Sequence, residues 1–286
     1  MGGEVVTRVT LWGTRGSLAS PGPETAVYGG NTACVAVEGR DGSIVVLDAG
    51  TGIRRLAAQL PDHPSRVDIL LTHLHLDHIQ GLGFFPPLYD PEVEIHIWGP
   101  ASVTQDLRAR LTRYLSPPLF PVHLRNLPCQ LTLHEVPRGD FDVGGLAISA
   151  AFVCHPGPTV GYRVAEDGAS LVYLPDHEPA LGARAFPISP EWTSGYALAQ
   201  GCDLLIHDAM YTEDEYRERV GWGHSTLGHA LAFADLAGVR HLVLFHHDPA
   251  HDDETLGRLI SEAIEDATPP FRVTPAIEEA VFELGV

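Results

Sequence analysis

Thr72-His73-Leu74-His75-Leu76-Asp77-His78 places three imidazoles and one carboxylate within six positions, directly after the apolar run Val67-Asp68-Ile69-Leu70-Leu71. That run reads as a buried strand of about five residues. If the chain stays extended past it, His73 and His75 project to one side, because alternate residues of extended backbone share a face. If it then turns into a helix, Asp77 and His78 fall in the first turn and can point back at the same place. Imidazole nitrogen and carboxylate oxygen are ligands that zinc, iron or manganese accept. A polar loop that happens to hold histidines is the alternative. Four ligand-type groups at one strand end weigh against it.

The rest of the composition frames that motif. At 286 residues, 44% hydrophobic and 19% charged, the chain has a folded composition and enough length to bury a sizeable core. It is expected to form a single domain over residues 1–286. Basic residues number 18 against 37 acidic, a net charge of −19. Such a surface repels polyanions, so long nucleic acid is a poor partner. A small anion drawn to a local cationic metal centre is compatible with it, since a bound ion dominates the field in its own pocket. The four cysteines, Cys34, Cys129, Cys154 and Cys202, form no C-x-x-C pair. They read as reduced, mostly buried thiols of a cytoplasmic protein. No apolar stretch is long enough to span a membrane, and Met1-Gly2-Gly3-Glu4 opens no secretory signal. A homodimer is compatible with the sequence, which does not set the oligomeric state.

Outward from the motif, strands are expected at 4–12, 31–38, 44–47, 93–98, 131–136, 146–154, 160–164, 171–174, 203–207 and 241–245. Helices are expected at 52–60, 101–113, 190–200, 212–219, 226–237 and 252–266. Gly13-Thr14-Arg15-Gly16-Ser17 opens a Pro/Gly loop that runs to Gly30. Arg15, Asn31 and Thr32 receive no role beyond loop structure. The segment 84–89, Phe-Phe-Pro-Pro-Leu-Tyr, fits a pocket mouth or core equally well. Residues 115–130 hold prolines at 117, 118, 121 and 128 and read as a long loop able to cover the site. Arg108, Arg110 and Arg113 read as a solvated helix face. β-rich runs followed by helices in both halves suggest two packed sheets flanked by helices, an α+β (α/β) arrangement.

A metal site needs donors from more than one loop. His155 ends an apolar run, with Pro156-Gly157 turning the chain at once. Asp176 follows Leu171–Pro175 in the same way, and a carboxylate has two oxygens with which to bridge two cations. His246 follows Leu242–Phe245, with His247 as its fallback. For His155 a histidine on a surface loop is the alternative. One further pair stands out: Asp208 ends a strand, and His224 lies in Gly223-His224-Ser225-Thr226 before a helix that Ser225 or Thr226 would cap. A histidine held by an aspartate can act as a general acid. Spacing alone does not join the two.

Together these positions resemble the metallo-β-lactamase superfamily. The match runs through Gly13–Ser17, Gly30-Asn31-Thr32, Asp48-Ala49-Gly50, Thr72–His78, His155-Pro156-Gly157, Tyr173–Asp176 and Phe245–Pro249. The resemblance implies a four-layer αββα sandwich with a two-metal site at one sheet edge. His73, His75 and His155 would hold one metal, Asp77, His78 and His246 the other, and Asp176 would bridge them. The cofactors implied are two divalent ions, zinc by default, with manganese or iron open. Gly223–Thr226 with Asp208 looks like the phosphodiesterase branch, which includes ribonuclease Z and the cyclic phosphodiesterases. There the matching histidine, here His224, protonates the leaving oxygen, and the matching acid orients it. Two departures stand against an RNA substrate: there is no glycine-rich basic arm, and the net charge has the wrong sign. Pro175-Asp176-His177-Glu178 also stands in place of the usual Gly-Asp-Thr, with Glu178 able to support the ligands.

The expected activity is hydrolysis of a small or cyclic phosphodiester by a hydroxide between the two metals, with His224 as general acid and Asp208 and Asp77 as the other catalytic residues. A thioesterase of the glyoxalase II type or a lactonase is the first rival, since those enzymes use nearly the same ligands. A non-catalytic, metal-stabilised nucleotide-binding module is the second. A true β-lactamase fits less well, with no export signal and no cysteine placed as a ligand.

Overall fold

The computed structural model describes residues 6–137, 139–181, 186 and 189–285. The chain starts with β1 (Thr7–Gly13), β2 (Cys34–Glu38), β3 (Ile44–Leu47), α1 (Ile53–Ala57), β4 (Arg66–Leu70) and α2 (Leu76–Ile79). It continues with β5 (Glu94–Gly99), α3 (Leu107–Tyr114), β6 (Gln130–Glu135), β7 (Gly139–Val143), β8 (Leu146–Phe152), β9 (Val160–Glu166) and β10 (Ala169–Leu174). It closes with α4 (Tyr196–Ala199), β11 (Leu204–Asp208), α5 (Glu213–Arg217), α6 (Leu227–Ala237), β12 (His241–Phe245), α7 (Asp253–Ala267), β13 (Arg272–Pro275) and β14 (Val281–Leu284).

The strands form two seven-stranded mixed sheets, ordered β14-β1-β2-β3-β4-β5-β6 and β13-β12-β11-β10-β9-β8-β7. Each sheet is antiparallel on one side and parallel on the other: β3 to β6 run parallel in the first, β10 to β13 in the second. Parallel strands need helical crossovers, which cover the outer faces and bury both sides of the strand. The apolar runs show the result. Leu47 and Leu70 point inward against Tyr162, Tyr173, Ile206 and Phe245 of the other sheet. Their neighbours Val46 and Ile69 point outward against Leu56, Ile79, Leu107 and Leu111 of the helical layer. On the far side Val172, Leu205 and Leu244 pack outward on Leu231, Phe233 and Ala234 of α6 and on Leu256 and Ile260 of α7. The arrangement is the expected αββα sandwich.

Several expectations need correction. The strand proposed from residue 4 is seen from Thr7; residues 4 and 5 lie outside the described residues. The helix expected from 101 starts only at Leu107, because the Asp106 side chain accepts the Ala109 N–H and fixes the cap there. Arg110 on that helix is half-buried, and its guanidinium donates to the Pro100 carbonyl, so it does not belong to a solvated face. Residues 115–130 bury Leu115, Phe120, Leu124, Leu127 and Cys129 in the outer core beside α3, so their apolar side chains are taken up there. The 84–89 segment divides between both of its readings: Phe85 and Leu88 are core, while Phe84 and Tyr89 reach solvent. β7, β13 and β14 were not anticipated. They are four- or five-residue edge strands with too few alternations to stand out.

Candidate active site

The parallel strands of both sheets deliver side chains to one edge. β4 leads into Thr72-His73, and α2 follows with Asp77 and His78 in its single turn. The loop after β8 carries His155, the end of β10 leads to Asp176, β11 ends at Asp208, and β12 leads to His246. The carboxylate of Asp176, 2% exposed, stands between two groups of donors. Its Oδ2 is 3.7 Å from His73 Nε2 and 3.8 Å from His155 Nε2. His155 Nε2 is in turn 3.1 Å from His75 Nδ1. Its Oδ1 is 2.9 Å from His78 Nε2 and 3.2 Å from His246 Nε2. Asp77 Oδ2 lies 3.3 Å from each of these last two nitrogens. Two clusters result, His73/His75/His155/Asp176 and Asp77/His78/Asp176/His246, in each of which one donor atom per residue lies within 4.8 Å of the others. All seven candidate ligands are thus brought together. His247 is turned away and donates to the Ala276 carbonyl.

The donor atoms suit cations. His73 Nε2, His78 Nε2 and Asp176 Oδ1 are buried without a hydrogen-bond partner among the described residues. Buried polar atoms that converge without hydrogen bonds are what a divalent ion satisfies. Burial, with neighbouring imidazoles adding to it, pushes the His73 and His155 rings below their ordinary range, so they offer neutral nitrogen. Burial opposes the charge on Asp77, yet His78 and His246 beside it hold its carboxyl well below the usual range.

Residues that were assigned no individual role from the sequence hold the candidate ligands. Asp48, at the end of β3, accepts the His78 Nδ1–H at 2.8 Å and the Thr72 N–H at 2.7 Å. Thr72 Oγ1 lies 2.9 Å from Asp48 Oδ2 and 3.0 Å from His73 Nδ1, so both His73 and His78 are oriented through Asp48. Ser17 donates its backbone N–H to Asp77 at 2.8 Å. Arg15, fully buried, donates to the carbonyls of Gly29, Asp248 and His251 and ties the first loop to the one that carries His246. The sequence signal for these is weak: Asp48 directly follows β3, while Arg15, Ser17 and Thr72 lie two to four residues past a strand end.

His224 and Asp208, which spacing did not join, are in contact. His224 Nδ1–H donates to Asp208 Oδ2 at 2.7 Å, and Nδ1 is 3.9 Å from Asp176 Oδ2. Asp208 is wholly buried and also accepts N–H groups from His177, Met210 and Ser225. Burial opposes a charged His224, but the Asp208 carboxylate outweighs it and raises the imidazole to about 9. Thr226, not Ser225, caps α6, accepting the His229 N–H.

The family described as beta-lactamase superfamily domain matches residues 44–247. A ribonuclease Z from Mycobacterium avium (strain 104) is 30% identical over 267 residues, covering 85% of this chain and 86% of its own. Among solved structures, the short form of human tRNase Z superposes with a TM-score of 0.68 at 22% identity, over 98% of this chain and 100% of that one. The metallo-β-lactamase fold protein YhfI from Bacillus subtilis superposes with a TM-score of 0.67 at 19% identity, over 97% and 99%. The chain therefore belongs to the metallo-β-lactamase superfamily, as a hydrolase of that superfamily whose His and Asp clusters are built to hold metal.

Proposed function

We propose that this protein is a two-metal phosphodiesterase that acts on a small or cyclic phosphodiester, with His224 as general acid. The observation that carries this reading is the Asp208–His224 pair beside the bridging Asp176. Ester hydrolysis with a good leaving group needs no proton donor, whereas a departing alkoxide does. The Nδ1–H of His224 is engaged by Asp208, so the proton available for transfer is on Nε2. Asp208, held by three backbone N–H groups, fixes the tautomer and the direction of the ring. His73, His75 and His155 would hold one ion, Asp77, His78 and His246 the second, with Asp176 shared. Bound there, two divalent cations supply a nucleophilic hydroxide near neutral pH and screen the phosphoryl oxygens. Imidazole and carboxylate donors favour zinc, with manganese or iron as alternatives.

The M. avium relative is named a ribonuclease. The net charge of −19 supports a small diester over RNA, because each phosphate of a polyanion would approach a like-charged surface. Among the described residues no helix is long and apolar enough to cross a membrane, and all four cysteines are free, which supports a cytoplasmic setting. The test is a comparison of metal-replete protein on bis-p-nitrophenyl phosphate, cyclic nucleotides, a thioester and a lactone. Turnover of diesters in preference to the others is expected. Preference for the thioester or the lactone would overturn the reading, and tight nucleotide binding without turnover would mark a binding module.

A further inference from the structure

Asp176, His177 and Glu178 serve three parts of the site in succession. Asp176 lies between the two donor clusters. The backbone of His177 donates its N–H to Asp208 at 3.3 Å and accepts the Ser225 hydroxyl at 2.6 Å. Glu178 donates its N–H to the Cys154 carbonyl at 2.9 Å, next to His155. Its carboxylate, 1% exposed, then takes three donors from one stretch of chain. Oε1 accepts the Tyr216 hydroxyl at 2.7 Å and the Gly221 N–H at 2.8 Å, and Oε2 accepts the Gly223 N–H at 2.8 Å.

Besides these bonds the loop has one backbone bond of its own, from the Trp222 N–H to the Arg219 carbonyl at 3.0 Å. Its two apolar side chains face solvent, Val220 being 49% and Trp222 60% exposed, so burial of side chains contributes little to its shape. Gly221 and Gly223 both take left-handed backbone, with φ of +87° and +92°. The Gly223 carbonyl accepts the His155 Nδ1–H at 2.9 Å, and the next residue is His224. Charge-assisted bonds from N–H to carboxylate are about twice as strong as neutral ones, so one buried carboxylate can hold both ends of the 221–223 loop.

We infer that Glu178 is a positioning residue that, through the 221–223 loop, sets His155 on the metal side and His224 on the acid side in a single geometry. Its catalytic consequence rests on the phosphodiesterase reading; the clamp itself does not. Glu178→Gln keeps the volume but puts an amide N–H₂ where one of the N–H donors needs an acceptor.

The first measurement uses metal-free protein and the amide resonances of Gly221 and Gly223. In the native chain both lie downfield, as donors to a carboxylate do, and in Glu178→Gln at least one moves upfield. Tyr216→Phe removes one donor without touching the backbone. It should move Gly221 further downfield and leave Gly223 in place, which keeps the clamp testable if Glu178→Gln does not fold. Unmoved resonances in the variants would overturn the proposal. The second measurement uses metal-loaded protein and two diesters, one with a p-nitrophenolate leaving group and one with an alkoxide. Glu178→Gln should lower kcat on the alkoxide diester about 10–100-fold more than on the other, the range seen when supporting hydrogen bonds are removed. An equal loss on both would mean a general structural defect and would overturn the link to His224. If the native protein turns over neither diester, the phosphodiesterase reading falls, while the amide resonances still decide the clamp.

Discussion

The Nδ1 of His78 lies 2.8 Å from Asp48 Oδ2, and neither side chain has any solvent exposure. Asp48 takes left-handed backbone, with φ of +59°, to put its carboxylate there. The same carboxylate meets the Thr72 N–H and, through the Thr72 hydroxyl, His73. It therefore orients one candidate ligand from each donor cluster. Asp48→Asn should weaken metal binding about 10–100-fold, because an amide can satisfy His78 or Thr72 but not both. Competition with a chelator measures this. Native affinity in the variant would show that the imidazoles are held by packing alone.

The acid role proposed for His224 has a signed pH consequence. A general acid works while protonated, so the rate holds below its pKa and falls above it. Burial is opposed and outweighed by Asp208, giving about 9 for His224, and bound cations push in the same direction as burial. The alkaline limb of kcat/KM for an alkoxide diester should therefore fall at or below about 9. Asp208→Asn removes the charge that raises it and should move that limb to lower pH. His224→Ala should cost about 10²–10⁴ in turnover at full metal content. Loss of metal in His224→Ala would make it a ligand instead, a role that its 4.8 Å grouping with Asp208 and His246 makes worth measuring.

Two glycines separate the metal positions. A Cβ on Gly16 would fall 2.4 Å from His246 Nδ1, and one on Gly223 would fall 2.2 Å from His155 Nδ1. Neither ring has room to withdraw, since both are packed among other imidazoles. Gly16→Ala should selectively weaken binding of the ion that Asp77, His78 and His246 are proposed to hold. Gly223→Ala should weaken binding of the one proposed for His73, His75 and His155. Metal counting on each variant should show one tightly bound ion in place of two. Two tightly bound ions in both would place the donors in other groupings.

The sandwich was legible because most of its strands are largely apolar runs closed by turn residues, and the candidate ligands lie in the segments that directly follow β4, β8, β10 and β12. His246 could be chosen over His247 for the same reason, although its φ of +61° makes the turn sharper than an extended chain would. The roles of Asp48 and Arg15 were not legible, and for Glu178 a supporting role was legible but its partners were not. Their work consists of hydrogen bonds to residues far away in sequence, Asp48 to Thr72 and His78, Arg15 to Asp248 and His251. No local period or spacing encodes such partners. Asp208 and His224 lie between these cases: each follows a recognisable punctuation of the chain, but only the fold brings Nδ1 to 2.7 Å from Oδ2.

Buried histidines outside the metal clusters predict how stability responds to acid. Burial, opposed by the Ala276 carbonyl, pulls His247 down to about 3, and burial, opposed by Asp208, pulls His207 down to about 4. Unfolded, each ring takes a proton near pH 6.5. Between about 6.5 and 4 the unfolded chain therefore binds protons that the folded chain refuses. Stability must fall as the pH is lowered through that window, by about 1.4 kcal/mol per pH unit for each such ring. Asp77 and Asp176, whose carboxyls lie below their ordinary range, add to the loss only at more acidic pH, below the unfolded carboxylate range. His73, His75 and His155, also lowered by burial, add to the slope in metal-free protein, so a single variant is needed to isolate one ring. His247→Gln keeps a donor for Ala276 and cannot titrate. Denaturant unfolding of the metal-free proteins at pH 7 and pH 5 should show about 2 kcal/mol less pH sensitivity in that variant than in the native chain. Equal sensitivity would mean that His247 is protonated in the folded state or exposed by local opening.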